Sequence, residues 1–549
     1  MKKRYDVLVV GSGFGGAITA ARLAQAGKSV AILEQGRRWH KQEFPRTIGQ
    51  VSSRAFWQQG KSSGFLEYRA FRRMDVIQGV GLGGGSLHYF NVHLRADADV
   101  FEDPRWPQAI TRTGLDPYYD LAQSMMDSKP LSPPAGLKMP SRTEVFLGAA
   151  KKADMTSEMV PLAVHTGEER RNPHGLVVQQ ACTYCGDCLY GCHIHAKNTL
   201  DITYIGMAER QHALEVFTLH RVDKIEKSDQ DGAGYKVSFQ RLSEAEAAPI
   251  ETGEVHAGKV VLAAGTLGST EILLRSRDEH RSLPRLGAAV GRRFSCNGEF
   301  LGAAAIDTTK SVDCGHGPSI TARVDVSTKN HKITIEDLGL PDSMLWFLEG
   351  MLPPRGGRIA RLLDLAGRAM AQALGFMSRR GPVRDSVDAL FARSRTPRIL
   401  PFLGMGMDAS DGVFRLNKGR LDLDWDHAAS REMYRSMHKR MRELSEAAGG
   451  RYATSPLWRW PVRKILTAHP LGGCAMGDDA ETSVVNDRGE VHHYPGLYVI
   501  DGSMLPTALA INPSLTIAAL AERASWWMLH DRDIREDEIE DLQRPVPER

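Results

Sequence analysis

The chain has 549 residues, of which 42% are hydrophobic and 25% are charged, as in an ordinary soluble protein. It is too long for one simple hydrophobic core, so we expect two or more closely built domains. The formal net charge is only +4 and the basic residues form no run, which gives no case for a nucleic-acid partner. The chain does not start with a secretory signal pattern, and no apolar run is long enough to span a bilayer, so we expect a cytoplasmic protein.

The first predicted strand, residues 6–10 (DVLVV), runs directly into a glycine-rich turn and then into an alanine-rich helix. In such a motif the glycines allow a sharp turn, a close approach to a pyrophosphate and tight packing of the helix on the strand. The helix N-terminus offers N–H groups, and Glu34, at the end of the second strand, can accept hydrogen bonds from a ribose. The motif predicts a dinucleotide site but does not separate NAD from FAD. The residues assigned to it are Gly11, Ser12, Gly13, Phe14, Gly15, Gly16, Glu34 and Gln35.

A second glycine-dense segment follows at residues 79–95 (GVGLGGGSLHYFNVHLR). So many glycines together indicate backbone that passes close to a large ligand. Residues 259–270 (KVVLAAGTLGST) then predict another apolar strand that ends in a turn of small residues and leads into a helix. Both segments extend the nucleotide site beyond the N-terminal motif.

Four of the seven cysteines fall within residues 182–192 (CTYCGDCLYGC), with the spacing Cx2Cx2Cx3C. Thiolates at these intervals are typical of a bacterial-type iron–sulfur ligand run. Cys182, Cys185 and Cys188 can wrap one cluster, and Cys192 either supplies a fourth ligand or stays free, which gives a 4Fe–4S or a 3Fe–4S cluster. Two alternatives remain open: structural zinc, whose cysteines more often form two separated pairs, and thiols without metal or in a disulfide.

Residues 344–377 alternate apolar clusters with arginines. A helix that starts at Arg358 would place Ile359, Leu362 and Leu363 on one side, with arginines elsewhere around it. Such a helix can lie on a membrane surface, form an apolar lid over a substrate tunnel, or pack on the body of the protein. The sequence therefore predicts peripheral membrane contact as one of three uses of this segment.

Two segments near the C-terminal end carry candidate catalytic groups. Residues 469–477 read HPLGGCAMG, and residues 497–517 read LYVIDGSMLPTALAINPSLTI. The second segment begins as an apolar strand that ends at Asp501 and Gly502. A strand end of this kind suits the far part of FAD, whose ribityl and phosphate groups need backbone donors.

Taken in order, these segments resemble the glucose–methanol–choline (GMC) family of flavoenzymes. The motifs GVGLGGGSL, HPLGGC and DGSMLP…INP are most similar to the cholesterol-oxidase-like branch of that family. The resemblance implies an α/β fold with a Rossmann-type FAD-binding domain and a second, sheet-containing substrate domain. It also implies bound FAD and the oxidation of an alcohol by hydride transfer to flavin N5.

The resemblance divides the chain into discontinuous parts. The FAD-binding domain would comprise residues 1–40, 72–110, 199–310 and 464–530. The substrate domain would comprise residues 41–71, 111–198 and 311–463, and would contain the cysteine run. The charge-rich residues 531–549 are predicted to form a mobile tail.

Further site residues follow from the resemblance alone. The second glycine segment matches the family's flavin-contacting loop, and Val222 matches the position whose backbone meets the adenine. Residues 501, 502 and 513 match contacts at the other end of the cofactor. The residues assigned in this way are Gly83, Gly84, Gly85, Ser86, Asn91, Val222, Asp501, Gly502 and Pro513.

His469 matches the family's active-site histidine, and Asn512 matches its partner, which is a histidine or an asparagine. A neutral imidazole with a pKa of ~6.5 is suited to accept the hydroxyl proton of an alcohol. An amide can hold the alkoxide-like oxygen without titrating. His88 stands where many cholesterol oxidases carry an apolar residue, so it is either a second titratable group or a packing residue.

Cholesterol oxidases also use a glutamate to move a double bond after the oxidation. Reading back from residues 411–414 (DGVF), we find no carboxylate between Arg393 and Met407. The sequence therefore predicts oxidation without that second step.

We expect oxidation of a secondary alcohol on a sterol-like or other bulky hydrophobic substrate. With a cluster in the cysteine run, electrons would pass singly to an external acceptor, a protein or a quinone, as in some membrane-linked GMC sugar dehydrogenases. The alternatives are an oxygen-using oxidase with structural cysteines, a homologue with other flavin chemistry, and an electron-transfer subunit.

Overall fold

The N-terminal strand–turn–helix motif lies at the centre of a largely parallel sheet. In the computed structural model, the strand Arg4–Val10 pairs in parallel with Val30–Leu33 on one side and with Pro249–Leu262 on the other. The helix Phe14–Gln25 follows the turn and is buried along most of its length. A parallel strand covered on both faces is apolar, which explains the uninterrupted run of residues 7–10, whereas Asp6 at the start of the strand is exposed. The structure describes residues 1–175, 177–228, 234–306, 312–344, 399–455, 458 and 463–544.

This sheet has seven strands. The long strand Pro249–Leu262 pairs in parallel with Leu497–Val499 and with the first strand, and antiparallel with Gly234–Leu242. The parallel strands end at the same edge, which is where α/β sheets of this type bind their ligands. In sheet order the strands are Glu215–Phe217, Val30–Leu33, Arg4–Val10, Pro249–Leu262, Gly234–Leu242 and His220–Ser228, with Leu497–Val499 beside Pro249–Leu262.

A second sheet has six antiparallel strands. The helix Arg431–Ala447 lies on it, with Met433, Met437 and Met441 buried against the strands. A sheet that buries one face in this way forms the second half of an α/β architecture. In sheet order the strands are Gly450–Thr454, Phe300–Ile306, Ile399–Gly406, Ile333–Asp337, Ala322–Asp325 and Thr156–Met159. The expected fold, an α/β fold with a second sheet-containing part, is confirmed.

A third sheet joins two of the motif-bearing segments. The strand Ile465–Thr467, which leads to His469, pairs in parallel with Met74–Gly79, which leads into the second glycine segment. The pairing therefore brings the histidine and the glycine loop to the same place. The sheet order is Ile465–Thr467, Met74–Gly79, Leu66–Ala70, Phe56–Gln58 and Ser62–Ser63.

The remaining elements connect these sheets. Two-stranded ribbons pair Lys129–Pro130 with Pro161–Leu162, Arg170–Arg171 with Val178–Gln179, and Val413–Asn417 with Arg420–Asp424. The other α-helices are Ile48–Gln50, Arg112–Met125, Ser141–Lys152, Tyr204–Gln211, Gly265–Leu274, Ser514–His530 and Glu536–Gln543. The 3-10 helices are Gly84–Leu87, Ala98–Val100, Cys188–Tyr190, Asp342–Met344 and Gly502–Met504, and the π-helical turns are Val51–Ala55 and Arg275–Glu279.

The division into two domains stays a prediction, and the third sheet crosses its boundaries because it contains strands from both parts. The strand Phe300–Ile306, at the end of the proposed segment 199–310, lies in the six-stranded sheet. Part of the expected tail is ordered: Glu536–Gln543 is helical, and Ile534 N–H donates to the hydroxyl of Tyr118 at 3.2 Å. Its apolar residues, Ile534 and Leu542, pack on the core and hold it there.

The segment predicted to contact a membrane or cover the substrate lies outside the described residues, except for Met344. Within the part of the chain that the structure describes, we find no helix long and apolar enough to cross a bilayer.

Candidate active site

A cavity of about 830 Å³ extends from the edge of the parallel sheet to the six-stranded sheet. The N-terminal motif, the second glycine segment and the two C-terminal segments all contribute to its wall. A cavity of this size and mixed lining is typical of a cofactor and ligand site. Of the residues assigned from the sequence, those that line it are Gly11, Ser12, Gly13, Phe14, Gly15, Glu34, Gln35, Gly84, Gly85, Val222, His469, Asp501, Gly502, Asn512 and Pro513.

The N-terminal glycines leave room for a ligand on one side only. Gly11 has φ +93°, and a Cβ there would lie 2.4 Å from the carbonyl oxygen of Ala263. A Cβ on Gly16 would lie 2.1 Å from the oxygen of Gly11, whereas a Cβ on Gly13 meets no atom within 4 Å. Gly11 and Gly16 are therefore needed for close packing of the chain, whereas Gly13 faces open space. This is the arrangement that a pyrophosphate at the helix N-terminus requires.

The carboxylate of Glu34 is engaged by the protein itself. Its oxygens accept hydrogen bonds from the N–H and hydroxyl of Ser12 and from the N–H groups of Gly36 and Gly81. Burial raises the pKa of Glu34, against the effect of these donors. Glu34 therefore ties the first glycine turn to the second glycine segment, and its contact with a ribose stays a prediction.

The carboxylate of Asp501 has a similar internal role. It accepts from the N–H of Gly265, from the hydroxyl of Ser269, and from the N–H and hydroxyl of Ser503. Burial raises its pKa in spite of these bonds. Asp501 thus fixes the strand end that carries Gly502 to the cavity.

Four assigned residues do not line the cavity: Gly16, Gly83, Ser86 and Asn91. Ser86 donates its hydroxyl to the backbone oxygen of Gly83 and accepts from the N–H of Leu200. It therefore fixes the second glycine segment to the backbone at Leu200. Asn91, which has φ +68°, donates its amide N–H to Sγ of Cys188 at 3.4 Å. Asn91 therefore contacts the cysteine run, and its contact with the flavin stays a prediction.

His469 lies on the cavity wall beside a carboxylate that we did not predict from the sequence. Oε2 of Glu299 accepts from the hydroxyl of Thr467 at 2.7 Å and from the N–H groups of Ala468 at 2.8 Å and His469 at 3.2 Å. Nδ1 of the imidazole lies 3.3 Å from the same oxygen. The backbone of His469 is therefore held by Glu299, and its ring lies next to the same carboxylate.

Asn512 faces a second unpredicted carboxyl group. Its Nδ2 donates to Oε2 of Glu336 at 3.3 Å, and Glu336 is fully buried. Burial, chiefly, raises the pKa of Glu336 to about 8, and the nearby charges of Asp337 and Glu299 add to the effect. At neutral pH this carboxyl group is largely protonated.

Residues 393–407 contain no carboxylate, as noted above, but a neighbouring strand supplies one. The strand Ile333–Asp337 pairs with Ile399–Gly406 so that Glu336 lies opposite Leu403. The carboxyl group therefore comes from the neighbouring strand. Only this pairing register reveals where the glutamate of residues 333–337 (ITIED) lies.

Three buried polar atoms converge here without a hydrogen-bond partner among the described residues: His469 Nδ1, Asn512 Oδ1 and Glu336 Oε1. Nδ1 lies near Glu299, as given above, but its direction does not meet hydrogen-bond geometry. Buried polar groups are rarely left without partners. His469 and Asn512 line the cavity, so their unpartnered atoms suit the hydroxyl of a bound alcohol and the polar edge of a flavin ring.

His88 also lines the cavity, and its pKa is lowered to about 3, first by burial and then by the charges of Lys197 and His469. It is therefore neutral at physiological pH and titrates well below it. His469 is more exposed than His88 and lies next to a carboxylate, and both features suit a base.

The cysteine run lies against the second glycine segment. The ammonium of Lys197 donates to the backbone oxygens of Leu87, Tyr89 and Cys188 at 2.8–3.0 Å and so joins the two. Burial, followed by the charge of Cys188, raises the pKa of Cys185 to about 12. Among the residues that the structure describes, no group of three or more His, Cys, Asp or Glu side chains is arranged to hold a metal ion. The iron–sulfur prediction is therefore not confirmed.

The part of the wall beside His469 and Asn512 is aliphatic. Its residues come from three strands or strand ends of the six-stranded sheet and from the 3-10 turn that follows. They are Leu301, Leu338, Leu340, Met344 and Leu403.

Comparisons with known proteins agree with this geometry. A family model described as GMC oxidoreductase matches residues 5–296, and its C-terminal counterpart matches residues 410–521. The chain is 29% identical to a cholesterol oxidase of Mycobacterium tuberculosis in an alignment of 591 positions, gaps included, which covers 100% of this chain and 95% of the relative. It is 29% identical to a cholesterol oxidase of Acinetobacter baumannii, with 95% and 93% covered.

A long-chain-alcohol oxidase of Arabidopsis thaliana is 23% identical over 94% of this chain and 65% of the relative. The crystal structure of pyridoxine 4-oxidase from Mesorbium loti has a TM-score of 0.63 over 96% of this chain and 99% of its own, at 17% identity, which shows a likeness of fold alone. The chain therefore belongs to the GMC oxidoreductase family, and it is an FAD-dependent enzyme that acts on CH–OH donors.

Proposed function

We propose that the enzyme oxidises a secondary alcohol of a sterol-like or other bulky hydrophobic substrate. The observation that carries this proposal is the aliphatic wall formed by Leu301, Leu338, Leu340 and Leu403 beside the polar pair of His469 and Asn512. A sugar placed there would leave most of its hydroxyl groups without hydrogen-bond partners, at a cost for each group. The cholesterol oxidases among the relatives agree with an apolar substrate.

The chain's own residues bind and deprotonate the alcohol. The hydroxyl group lies between His469 and Asn512, and the neutral imidazole accepts its proton. Asn512 donates one amide N–H to Glu336 and has a second N–H for the alcohol oxygen, which gains negative charge as the proton leaves. The aliphatic wall excludes water, which strengthens both interactions.

The cavity fits FAD by its own features, since the open side of Gly13, the first residues of the helix and the unpartnered Oδ1 of Asn512 all belong to residues that line it. The residues that would hold it are those of the N-terminal turn, Gly84 and Gly85, Val222, and the segment from Gly502 to Pro513. When bound, FAD supplies the acceptor for the hydride of the carbinol carbon.

Anaerobic addition of a hydroxysterol should bleach the visible absorbance of the bound flavin, because oxidation of the alcohol reduces the cofactor. A panel of sterols, long-chain alcohols and sugars, followed in a stopped-flow spectrophotometer, measures the rate for each class. Glucose and related sugars serve as the polar control. Bleaching by sugars, or by no member of the panel, would contradict the proposed substrate class.

For the route of the electrons, the proposal is that the cysteine run binds an iron–sulfur cluster that passes them to an external protein or quinone. Its support is the proximity of the run to the flavin loop: Cys188 contacts Asn91 and Lys197, and Leu189 lines the cavity. Short distances favour electron transfer between cofactors in one protein.

Anaerobically purified protein should then contain iron and acid-labile sulfide, with an EPR signal that changes when alcohol is added. The variant Cys188→Ser is the matched control, since it should lose the iron and keep FAD. Full alcohol turnover with oxygen in protein that contains neither iron nor sulfide would make the enzyme an oxidase with structural cysteines.

Glu336 favours a second activity, the movement of a double bond in a sterol ketone after the oxidation. Such a step needs a base that removes a proton next to the new carbonyl, and a buried carboxyl group with a pKa of about 8 beside Asn512 is suited to it. The carboxyl group acts only when ionised. Because its pKa is raised, isomerisation should become faster as the pH rises from 7 to 9.

Glu336→Gln should abolish this rise and release the unconjugated ketone, while reduction of the flavin continues. The two ketones are separated by chromatography or by the ultraviolet absorbance of the conjugated product. Unconjugated ketone from the wild-type enzyme at every pH would show that Glu336 serves the structure alone.

A further inference from the structure

Glu299 and Asn297 lie in one short turn that leads into the strand Phe300–Ile306, and together they hold both catalytic loops. Asn297 accepts from the N–H groups of Leu509 at 2.9 Å and Ala510 at 3.0 Å, and donates to the oxygen of Ile511 at 2.7 Å. The turn therefore pins the loop that presents Asn512. Glu299 pins the other loop, from Thr467 to His469, through the three hydrogen bonds already described.

Unlike Asn297, Glu299 lies next to the side chain of the catalytic residue on its loop, the imidazole of His469. Its Oε2 lies 3.3 Å from Nδ1 of His469, and only 5% of Glu299 is exposed. Nδ1 has no hydrogen-bond partner among the described residues, and the Glu299 carboxylate is the acceptor next to it. A small rotation of the imidazole would aim the N–H at that oxygen.

A carboxylate beside one ring nitrogen decides which nitrogen carries the proton in the neutral ring. With the proton on Nδ1, the lone pair is on Nε2, which is then free to accept a proton from a ligand. The same negative charge stabilises the imidazolium that forms after the transfer, as a carboxylate does in serine hydrolases. These are the two properties that a base for an alcohol requires.

We propose that Glu299 is the positioning residue of the base: it keeps the proton of neutral His469 on Nδ1 and leaves Nε2 to accept the hydroxyl proton. In the transfer, the O–H bond of the alcohol breaks and an Nε2–H bond forms. The positive charge that results on the ring lies next to the Glu299 carboxylate. This inference rests on the proposed function of His469 and adds the group that sets its tautomer.

Glu299→Gln tests the role of the charge. The amide oxygen can still accept from Thr467, Ala468 and His469, so the loop keeps its bonds and FAD should stay bound. Loss of the charge should slow flavin reduction by about 10- to 100-fold, the usual range for removing a charged hydrogen-bond partner. In the double variant with His469→Gln, the Glu299 substitution should cause no further loss, because its effect passes through the imidazole.

Asp408→Asn is the matched control. Asp408, which follows the strand Ile399–Gly406, is also a buried carboxylate, and it accepts from the N–H groups of Cys296 at 3.0 Å and Gly298 at 3.1 Å in the same turn. The amide oxygen of Asn can still accept from these N–H groups, and Asp408 does not contact His469, so the rate should stay near that of the wild type. Equal slowing by Asp408→Asn and Glu299→Gln, or additive losses in the double variant, would reduce Glu299 to a structural residue.

The tautomer can be read without turnover. Protein labelled with 15N-histidine should show His469, identified by its absence in His469→Gln, with Nδ1 protonated and Nε2 bare at neutral pH. The opposite tautomer would overturn the inference even if the Glu299 variants were too unstable to study. Failure of every alcohol to bleach the wild-type flavin would instead remove the proposed function, while the tautomer measurement still stands.

Discussion

His469→Gln should slow the anaerobic reduction of the flavin by alcohol by roughly 100-fold or more, the usual loss when a general base is removed. Glutamine cannot accept the hydroxyl proton, but it keeps the backbone N–H bond to Glu299 that holds the loop. FAD content and thermal stability should therefore stay close to those of the wild type. The measurements are stopped-flow absorbance for the rate and the ratio of flavin to protein for the content.

The matched control for this variant is His220→Gln. His220 also lines the cavity, but it lies on the edge strand His220–Ser228 of the seven-stranded sheet, where its ring packs against Phe217 and Phe239. Its loss should leave the rate of reduction nearly unchanged. A His469→Gln enzyme that reduces its flavin at the normal rate would remove His469 from the mechanism.

The sequence is most informative where the chemistry is local. The N-terminal turn, its strand and its helix are contiguous, and the demands on each glycine follow from backbone geometry alone. His469 and Asn512 could be assigned because each lies in a short segment that resembles a known family. In each of these cases the information lies within about twenty residues, the length of one strand–turn–helix motif.

The two carboxyl groups of the site could not be found in this way. Glu299 is 170 positions from His469, and Glu336 is 176 positions from Asn512. What joins them is the pairing of Ile333–Asp337 with Ile399–Gly406 and the turn before Phe300–Ile306. A shift of one residue in that register would place Glu336 on the other face of the sheet. Such long-range register is a property of the folded sheet and of no local pattern.

Two acidic residues of the nucleotide motifs show a different limit. Glu34 and Asp501 lie on the cavity as expected, yet four hydrogen bonds from the protein engage each carboxylate. A motif shows that an acidic residue is needed at a strand end. It does not show whether the ligand or the neighbouring loop uses it, because both present N–H and O–H donors.

Gly15→Ala should strongly destabilise the fold. A Cβ at this position would lie 1.6 Å from the carbonyl oxygen of Ile500, which belongs to the backbone just beyond the strand Leu497–Val499. Neither the helix nor the strand can move without breaking the core, so we expect a loss of about 3 kcal/mol or more in the free energy of unfolding. Chemical denaturation of the apoprotein measures it, and a normal midpoint would show that the helix is packed less closely on that strand.

Gly13→Ala makes the same substitution two positions before Gly15. At Gly13 an added Cβ meets no atom within 4 Å. The apoprotein should therefore unfold at the same denaturant concentration as the wild type. Its methyl group, however, projects into the space where a pyrophosphate would approach the backbone, so FAD should bind more weakly and raise the melting temperature less. If Gly13→Ala bound FAD normally, the nucleotide would not lie over this turn. The pair thus separates the two demands that one short motif makes, close packing of the helix and close approach of a ligand.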